Sequence, residues 1–452
     1  MLDEAAPHIS PLRLRPDQPA VEVAGIPLPS FTERVLVVLT TFIVFHFTPN
    51  AWFVASSEDG PASNPIYIVA TLGLIGIAFI RVAGYFNLLI ETIKLEPTVF
   101  WFTGLVLVSS LWSADRIETV KAAIIFTAVT LYATYLVMRF SLDQIVRLLA
   151  VMFSISAVLN LLFVLALPVY GIDDDGLWTG VFSQKNALGF ITALSIPVLI
   201  IAGREWRGGR PLFFAAIAMH AVLLWGSQSK TMLVAAIVPT AAIAFFQLFR
   251  SGRTLPGAVM VGFIGSGIFA VAFATANIAL LADWLDKDVS LTGRVPLWED
   301  LLVVMWESPL LGYGYDAAFG GYFSPVHDVW IQNPWDPSHA HNALLQIWLD
   351  IGVFGVLLFL VLYFRSLTRA VRVASSMNGA VGLWPLVFLT MTLLISITES
   401  GMTANSLGWM MLVVAALTVS GHLRALERGA VDSDARPVRL KRQRAAALSA
   451  TT

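Results

Sequence analysis

The sequence contains no cysteine among its 452 residues, and only 13% of the residues are charged. Without cysteine the chain cannot form a disulfide framework, a thiolate metal site or a cysteine nucleophile. Soluble domains have about 25% charged residues, so the low charge excludes that class. The sequence also lacks a Gly-rich nucleotide-binding loop and a basic stripe suited to nucleic acid, so we predict no nucleic-acid partner.

Long apolar runs dominate what is present. Hydrophobic residues make up 57% of the chain, and the mean hydropathy is +0.76. Runs of about 17 to 25 residues recur, and each is long enough to cross a hydrocarbon core about 30 Å thick. They are continuous, unlike the alternating segments of a membrane barrel. We predict an all-α polytopic membrane protein of about 12 transmembrane helices. The predicted spans are 32–50, 65–81, 97–113, 118–138, 145–168, 185–202, 211–226, 230–249, 257–281, 342–364, 382–399 and 404–420.

The spans divide the chain into five segments. Residues 1–30 are polar and proline-rich and form a predicted disordered cytoplasmic tail, and residues 31–281 hold spans 1 to 9. Residues 282–341 form one large polar loop, residues 342–420 hold spans 10 to 12, and residues 421–452 form a basic cytoplasmic tail. Loops longer than about 15 residues are usually functional or disordered. The tryptophans and glycine turns of this loop favour function, so we expect it to carry the active site.

Basic residues set the predicted orientation. With the N-terminus in the cytoplasm, all but six of the 28 Lys and Arg residues fall on the cytoplasmic side, as the positive-inside bias requires. The large loop is then extracytoplasmic and both termini are cytoplasmic. The basic C-terminal tail is expected to attract anionic headgroups of the lipid bilayer. The six outer basic residues are Arg116, Lys121, Lys185, Lys230, Lys287 and Arg294.

Two of the outer lysines open predicted spans. Lys185 stands between Gln184 and Asn186 at the start of the sixth span, and Lys230 follows Gln228 at the start of the eighth. The free N–H groups of a helix N-terminus beside a cation form a ready anion site, and phosphate is the anion to expect. In the alternative interpretation, each lysine only extends its amine to the membrane interface.

The large loop contributes one arginine and two neighbouring histidines. Arg294 offers a planar guanidinium fork that suits phosphate oxygens. His339 and His341 lie where the tenth span begins, and a histidine there can accept a proton near neutral pH. A purely structural role is the alternative. No further ligands stand at a recognisable metal-binding spacing, so we predict neither a metal nor a cofactor.

Several motifs follow one another in a distinctive order. They resemble the signature of the O-antigen ligase and polymerase superfamily over residues 97–420. The motifs are Gly293-Arg294 with Trp298, then Pro309 and Gly312-Tyr-Gly314, then His341-Asn-Ala-Leu-Leu-Gln-Ile-Trp-Leu-Asp350 followed by Gly352 and Gly355. Two further stretches are similar to its exopolysaccharide-production (ExoQ-like) branch. They are Val181-Phe-Ser-Gln-Lys-Asn-Ala-Leu-Gly189 and Leu111-Trp-Ser-Ala-Asp115.

The resemblance implies a bacterial inner-membrane glycosyltransferase with a periplasmic active site and no metal requirement. Its implied donor is an oligosaccharide linked to undecaprenyl diphosphate, and its other partners are a glycan acceptor and other polysaccharide export proteins. Arg294 would hold the diphosphate, and His341 would orient or deprotonate the acceptor hydroxyl. Whether His339 or His341 acts stays open, although Asn342 after His341 favours His341.

Members of the superfamily usually carry a second essential cation, often an arginine on another outer loop. Here Lys185 or Lys230 would take that role, with Gln184, Asn186 and Gln228 as further diphosphate contacts.

The ExoQ-like stretches favour a polymerase of exopolysaccharide or O-antigen repeat units. An O-antigen ligase, which transfers the glycan to lipid A core, is the alternative with the same donor chemistry. A flippase for lipid-linked oligosaccharide is the rival from another class. It would need ionisable residues along a path inside the bilayer, whereas the charges here collect at one face.

Overall fold

A computed structural model describes residues 29–46, 73, 76, 84–182, 184–248, 294–319, 324–332, 337–377, 379–400 and 407–449. The predicted span at 257–281 and nearly all of the span at 65–81 lie outside this part of the chain. The same holds for most of the predicted tail at 1–30 and for residues 282–293 of the large loop.

The regular elements of the described residues are helices, and one isolated β-bridge joins Ile172 to Trp178. In chain order the helices are α1 (Phe31–His46), α2 (Phe86–Leu95), α3 (Pro97–Val108), α4 (Arg116–Arg139), α5 (Leu142–Ala166), α6 (Pro168–Gly171), α7 (Lys185–Glu205), α8 (Arg210–Ser227), α9 (Lys230–Leu248), α10 (Arg294–Glu307), α11 (His327–Gln332), α12 (Ala343–Ser376), α13 (Trp384–Ser396) and α14 (Leu407–Ser449). Short 3-10 turns cover Ser109–Leu111, Arg207–Gly209 and Val381–Leu383.

Within the described residues, six helices are long and apolar enough to cross a membrane. They are α4, α5, α7, α8 with its preceding turn, α12, and α14 as far as Arg428. Shorter apolar helices cover Pro97–Leu111, Lys230–Ala241 and Val381–Ser396. The prediction of an all-α polytopic membrane protein is therefore confirmed.

Large aromatic residues at the centre of the bundle hold its helices together. The ring of Trp409 on α14 lies 4.5 Å from that of Phe126 on α4 and 5.2 Å from that of Phe102 on α3. Its indole Nε1 donates a hydrogen bond to Oγ1 of Thr130 at 2.9 Å. Buried aromatic pairs of this kind contribute about 0.5–1.5 kcal/mol beyond the area they bury. Helices α3, α4 and α14 are thus locked to one another, and α12 packs beside them.

One contact shows which helix ends lie at the same end of the bundle. The carboxylate of Glu205, the last residue of α7, accepts a hydrogen bond from the backbone N–H of Ala380, in the turn between α12 and α13. The start of α7 therefore lies at the opposite end, where α12 begins and α13 finishes. Because α8 returns to that end, α9 also begins there, and it packs against α7 and α13.

Candidate functional site

Helix α10 brings Arg294 and Trp298 to the site. Three residues at helical spacing, Leu297, Leu301 and Met305, are buried in a small core that α10 shares with the start of α12 and the loop around Val326. Trp298 lies one turn after Arg294, so both side chains are presented on neighbouring parts of the helix surface. The indole Nε1 of Trp298 donates to the carbonyl oxygen of Ala340 at 2.9 Å. The helix thereby fixes the peptide next to His341.

The backbone at His341 is held in an unusual conformation. His341 has a φ of +47°, a region that residues other than glycine rarely adopt. On one side, the N–H of Ala340 donates to Oε1 of Gln346 at 2.9 Å. On the other, Asn342 caps α12 by accepting from the N–H groups of Leu344 and Leu345 at 3.0 and 3.1 Å. Strained backbone that its surroundings hold in place is enriched at functional sites.

Asn342 also ties α12 to the segment after α13. Its Nδ2 donates to the carbonyl oxygen of Ile397 at 3.1 Å, two residues before Glu399. This bond places the carboxylate of Glu399 beside the two histidines.

Four side chains meet at this point, and we call Arg294, His339, His341 and Glu399 the Glu399 cluster. Nη2 of Arg294 lies 2.7 Å from Oε1 of Glu399. Nδ1 of His341 lies 3.4 Å from Oε2, and Nε2 of His339 lies 4.0 Å from the same oxygen. The two imidazole rings are 3.9 Å apart and tilted by 31°. The side chain of His339 is 31% exposed against 11% for His341, so His341 is the enclosed member of the pair.

The surroundings determine the charge states in the cluster. Burial alone would raise the pKa of Glu399, but the contacts of His339 and His341 and the charge of Arg294 together lower it to about 2. Burial lowers the pKa of His341, and this effect outweighs the opposing contact with Glu399. At neutral pH the cluster therefore holds an ionised carboxylate, a guanidinium and a neutral His341. A neutral imidazole with its proton on Nδ1, facing Glu399, keeps its Nε2 lone pair available as a base.

The same side chains bear on the prediction that no metal is bound. One ligand atom each from His339, His341 and Glu399 lies within 4.8 Å of the other two. Three such ligands match the protein share of a catalytic zinc site. Against this, the guanidinium of Arg294 occupies one oxygen of the carboxylate and adds a positive charge. The absence of a bound metal therefore stays a prediction.

The predicted lysines stand at the same end of the bundle as the cluster. Lys185 is the first residue of α7 and Lys230 the first of α9, as predicted. The two helix starts are joined because Oγ of Ser229 donates to Oδ1 of Asn186 at 3.3 Å. Gln184 immediately precedes α7, and Gln228 lies two residues before α9. Both are exposed, and Gln228 has a φ of +51°. The structure thus gathers Arg294, His339 and His341 around the carboxylate of Glu399. It places the other predicted diphosphate contacts on neighbouring helix ends.

Three distant motifs cross beside the cluster, and we call this contact the motif crossing. The backbone N–H groups of Tyr313 and Gly314 donate to the carbonyls of Leu349 and Asp350 at 2.9 and 2.8 Å. From the α3–α4 connection, the N–H of Ala114 donates to the carbonyl of Tyr313 at 2.8 Å. The Trp-Ser-Ala-Asp, Gly-Tyr-Gly and Asp-Ile-Gly motifs thus form one structural unit.

Glycine is required at the motif crossing. Gly314 has a φ of +98° and Gly352 a φ of +71°. A Cβ on Gly314 would collide with the side chain of Ser113, and a Cβ on Gly352 would collide with the backbone of Leu310. Gly352 also lies at a kink inside α12, where Ile351 leaves the helical conformation.

Asp316 follows the motif crossing, two residues after Gly314. Its side chain is exposed and its φ is +60°. Its backbone N–H donates to Oδ1 of Asp350 at 3.3 Å. Surrounding protein raises the pKa of Asp316 to about 6, the charge of Glu118 acts in the same direction, and the charge of His339 opposes them. Its interaction with His339 associates Asp316 with the Glu399 cluster.

Sequence reasoning did not identify Glu399 or Asp316. Glu399 follows an apolar run and belongs to no recognised motif. The one available signal was its position, since it is an isolated acid at the outer end of the eleventh predicted span.

This helical fold, with its polar cluster at one end of the bundle, defines a multi-pass membrane protein. Comparison with known proteins shows what it is similar to. Residues 212–360 match the family model described as O-antigen ligase. The match runs from α8 into α12 and includes Arg294, His339 and His341. The resemblance to this family that the motifs predicted is therefore confirmed for this part of the chain.

Individual relatives agree with this assignment. The chain is 25% identical over 336 residues to the exopolysaccharide production protein ExoQ of Rhizobium meliloti, covering 66% of this chain and 75% of that protein. It is 31% identical over 98 residues to a provisionally named polysaccharide ligase of Rickettsia felis, covering 21% of this chain and 24% of that protein. A similarly named protein of Rickettsia conorii is 32% identical over 91 residues, covering 19% of this chain and 22% of its own length.

Proposed function

We propose that this protein is a bacterial inner-membrane glycosyltransferase that polymerises exopolysaccharide or O-antigen repeat units. The donor is an oligosaccharide linked to undecaprenyl diphosphate, and the reaction takes place at the periplasmic face. The observation that carries the proposal is the Glu399 cluster, in which Arg294 and His341 contact two oxygens of one carboxylate at 2.7 and 3.4 Å. A cation for a leaving diphosphate and a neutral base are what this transfer needs.

In the proposed mechanism, the neutral His341 accepts the proton of the acceptor hydroxyl through Nε2. The hydroxyl oxygen attacks the anomeric carbon of the donor sugar and forms the new glycosidic bond. The bond between that carbon and the diphosphate oxygen breaks, and its electron pair leaves with undecaprenyl diphosphate. Arg294 stabilises the charge that develops on the leaving group, because a guanidinium donates to phosphate oxygens in a fixed geometry. No metal or cofactor is required by these steps.

A second cation completes the proposed diphosphate site. Lys185 and Lys230 each begin a helix, so an anion near them also meets free backbone N–H groups and the positive end of a helix dipole. The bond between Ser229 and Asn186 keeps these two helix starts together. Gln184, Asn186 and Gln228 add polar groups to the same surface.

The proposed topology has about 12 spans, with both termini in the cytoplasm and residues 282–341 as a periplasmic loop. The absence of cysteine makes this directly testable. In Asp174→Cys the thiol should react with a membrane-impermeant maleimide added to the periplasm, and in Arg207→Cys it should react only after the membrane is opened. Both positions are exposed, so accessibility of the side chain does not differ between them. The reverse labelling pattern would refute the orientation.

An O-antigen ligase is the second candidate function, and specific observations favour it. The family model is described as O-antigen ligase, and both Rickettsia relatives are named as polysaccharide ligases. The length of the match to ExoQ supports the polymerase instead, because it covers 75% of that protein. Donor chemistry is the same for both functions, and only the acceptor differs.

A deletion strain complemented with wild type, Arg294→Ala or His341→Ala at equal protein levels tests the proposal. Surface glycans and undecaprenyl-linked oligosaccharides are measured together. A polymerase predicts that single repeat units accumulate on the carrier and high-mass polysaccharide disappears. Long carrier-linked polymer that never reaches lipid A would establish the ligase instead. Failure of the oligosaccharide to reach the periplasm would mean a flippase, and unchanged glycans in both variants would exclude the site.

A further inference from the structure

Glu399 is the residue through which the proposed donor site and the proposed base are in contact. Its Oε1 meets Arg294 and its Oε2 meets His341. The side chains of Arg294, Glu399 and His341 are only 14, 12 and 11% exposed, so solvent screens their interactions little. The carboxylate of Glu399 therefore interacts with the guanidinium of Arg294 and the imidazole of His341 at the same time.

Resting on the function proposed above, we infer that Glu399 is a positioning residue that couples donor binding to the base. Without donor, Glu399 holds Arg294 in place and partly neutralises it. The donor diphosphate then competes with Glu399 for the charge of Arg294. When the N–H groups of Arg294 donate to the phosphate oxygens, the carboxylate of Glu399 interacts mainly with His341.

The consequence for His341 follows from charge alone. A carboxylate next to Nδ1–H fixes the tautomer that exposes Nε2, and it stabilises the imidazolium that forms when Nε2 accepts a proton. When Arg294 neutralises less of the charge of Glu399, the carboxylate stabilises the His341 imidazolium more strongly. The base is therefore strengthened once the leaving group is in position, which disfavours deprotonation of hydroxyls in the absence of donor.

The charged and titratable groups around His341 come from several elements. Arg294 comes from α10, His339 from the same loop, and Glu399 from the segment after α13. The charges of His339 and of Glu118 on α4 both act on Asp316. Among these, Glu399 is the one that touches both Arg294 and His341.

The coupling predicts opposite effects on binding and turnover. In Glu399→Gln, the purified full-length protein in lipid nanodiscs should bind undecaprenyl diphosphate several-fold more tightly than wild type, because the competing negative charge is gone. Its kcat should fall by about 10²-fold or more, since loss of the orienting carboxylate in the comparable serine-protease triad costs about 10⁴-fold. Glu399→Asp, which keeps the charge, should bind like wild type and recover part of kcat.

These measurements separate the inference from the function on which it rests. If wild type neither binds undecaprenyl diphosphate nor extends glycans, the proposed function fails. If wild type does both, an unchanged kcat in Glu399→Gln overturns the coupling, and so does a parallel loss of affinity and kcat. If the melting temperature shows that Glu399→Gln does not fold, Glu399→Asp alone tests the coupling. A lower kcat at unchanged affinity supports the coupling, and equal losses contradict it.

Discussion

The indole of Trp298 donates a hydrogen bond of 2.9 Å to the carbonyl oxygen of Ala340, across 42 residues of chain. This bond joins the helix that begins with Arg294 to the peptide next to His341, so it sets the distance between the proposed cation and the proposed base. Displacement of a catalytic group by about 1 Å can reduce a rate by about 10²-fold.

Trp298→Phe should therefore lower turnover by about 10-fold to 10²-fold. Because one net hydrogen bond contributes only about 0.5–1.5 kcal/mol to folding, its melting temperature should fall by only a few degrees. Polymer synthesis in membranes and thermal unfolding in detergent measure the two effects. Trp306→Phe is the matched control, because Trp306 lies on the same helix and is 67% exposed. Equal activity in the two variants would contradict the role of Trp298.

The lowered pKa of His341 predicts how activity depends on pH. A histidine in water has a pKa of about 6.5, and burial moves that of His341 below this value. Only the neutral ring can accept a proton, and kcat/KM reports the donor-free protein. The value of kcat/KM should therefore stay constant down to a pH below about 6.5 and then fall as His341 is protonated.

His339 determines in which direction the acid limb of the rate profile should move when it is replaced. The charge of His339 contributes to the lowered pKa of His341, so His339→Gln should move the acid limb of the rate profile to higher pH. The rate at the plateau should change much less than in His341→Gln, which should lose about 10²-fold to 10⁴-fold. A limb that does not move in His339→Gln, or that lies above pH 6.5 in wild type, would count against His341 as the base.

Single replacements can identify the second cation. A charged hydrogen bond contributes about 1.5–3 kcal/mol, which corresponds to roughly 10-fold to 10²-fold in donor affinity. Whichever of Lys185→Ala and Lys230→Ala raises KM for the lipid-linked donor by this factor marks the residue that binds the diphosphate. Lys121→Ala is the control, because Lys121 is predicted on the same side of the membrane, pairs with Glu118 and is 55% exposed. If neither variant differs from this control, both lysines are only interfacial.

Glycine at the motif crossing should be essential for stability. Gly352→Ala and Gly314→Ala each combine a positive φ with a collision, so each should lower the melting temperature strongly, and the protein should accumulate poorly in the membrane. Gly104→Ala provides the contrast, since Gly104 lies inside α3 with no atom within 4 Å of the added Cβ. Its melting temperature should be unchanged or higher, because alanine favours a helix by about 1 kcal/mol over glycine. Similar losses in all three variants would disprove the role of the crossing.

Those parts of the structure that depend on local patterns were predictable. The apolar runs at 118–138 and 185–202 became α4 and α7 with nearly the expected limits, because the length of a run and its flanking charges are properties of the sequence. Arg294 and His341 were selected by their chemistry and their motifs. The start of α12 was also readable, since Asn342 is a favourable capping residue.

The rest of the site depends on contacts between distant segments. Glu399 lies 105 residues after Arg294, and the bond from Asn342 to Ile397 holds its segment beside the start of α12. The positive φ of His341 stands beside the bonds that Trp298 and Gln346 make to Ala340, and these bonds leave no periodic pattern in the sequence. Single-sequence reasoning detects helices and unusual residue types, but it does not detect which helix ends meet.

The order of synthesis adds a consequence to the position of Glu399. Ribosomal synthesis proceeds from the N-terminus, so Arg294 and His341 emerge well before Glu399, which follows α13. During this interval the unfinished chain carries the cation and the histidine without the carboxylate between them. The Glu399 cluster is therefore complete only after nearly all the described helices have been synthesised. Under the proposed mechanism, a nascent chain that still lacks Glu399 would not consume lipid-linked sugar.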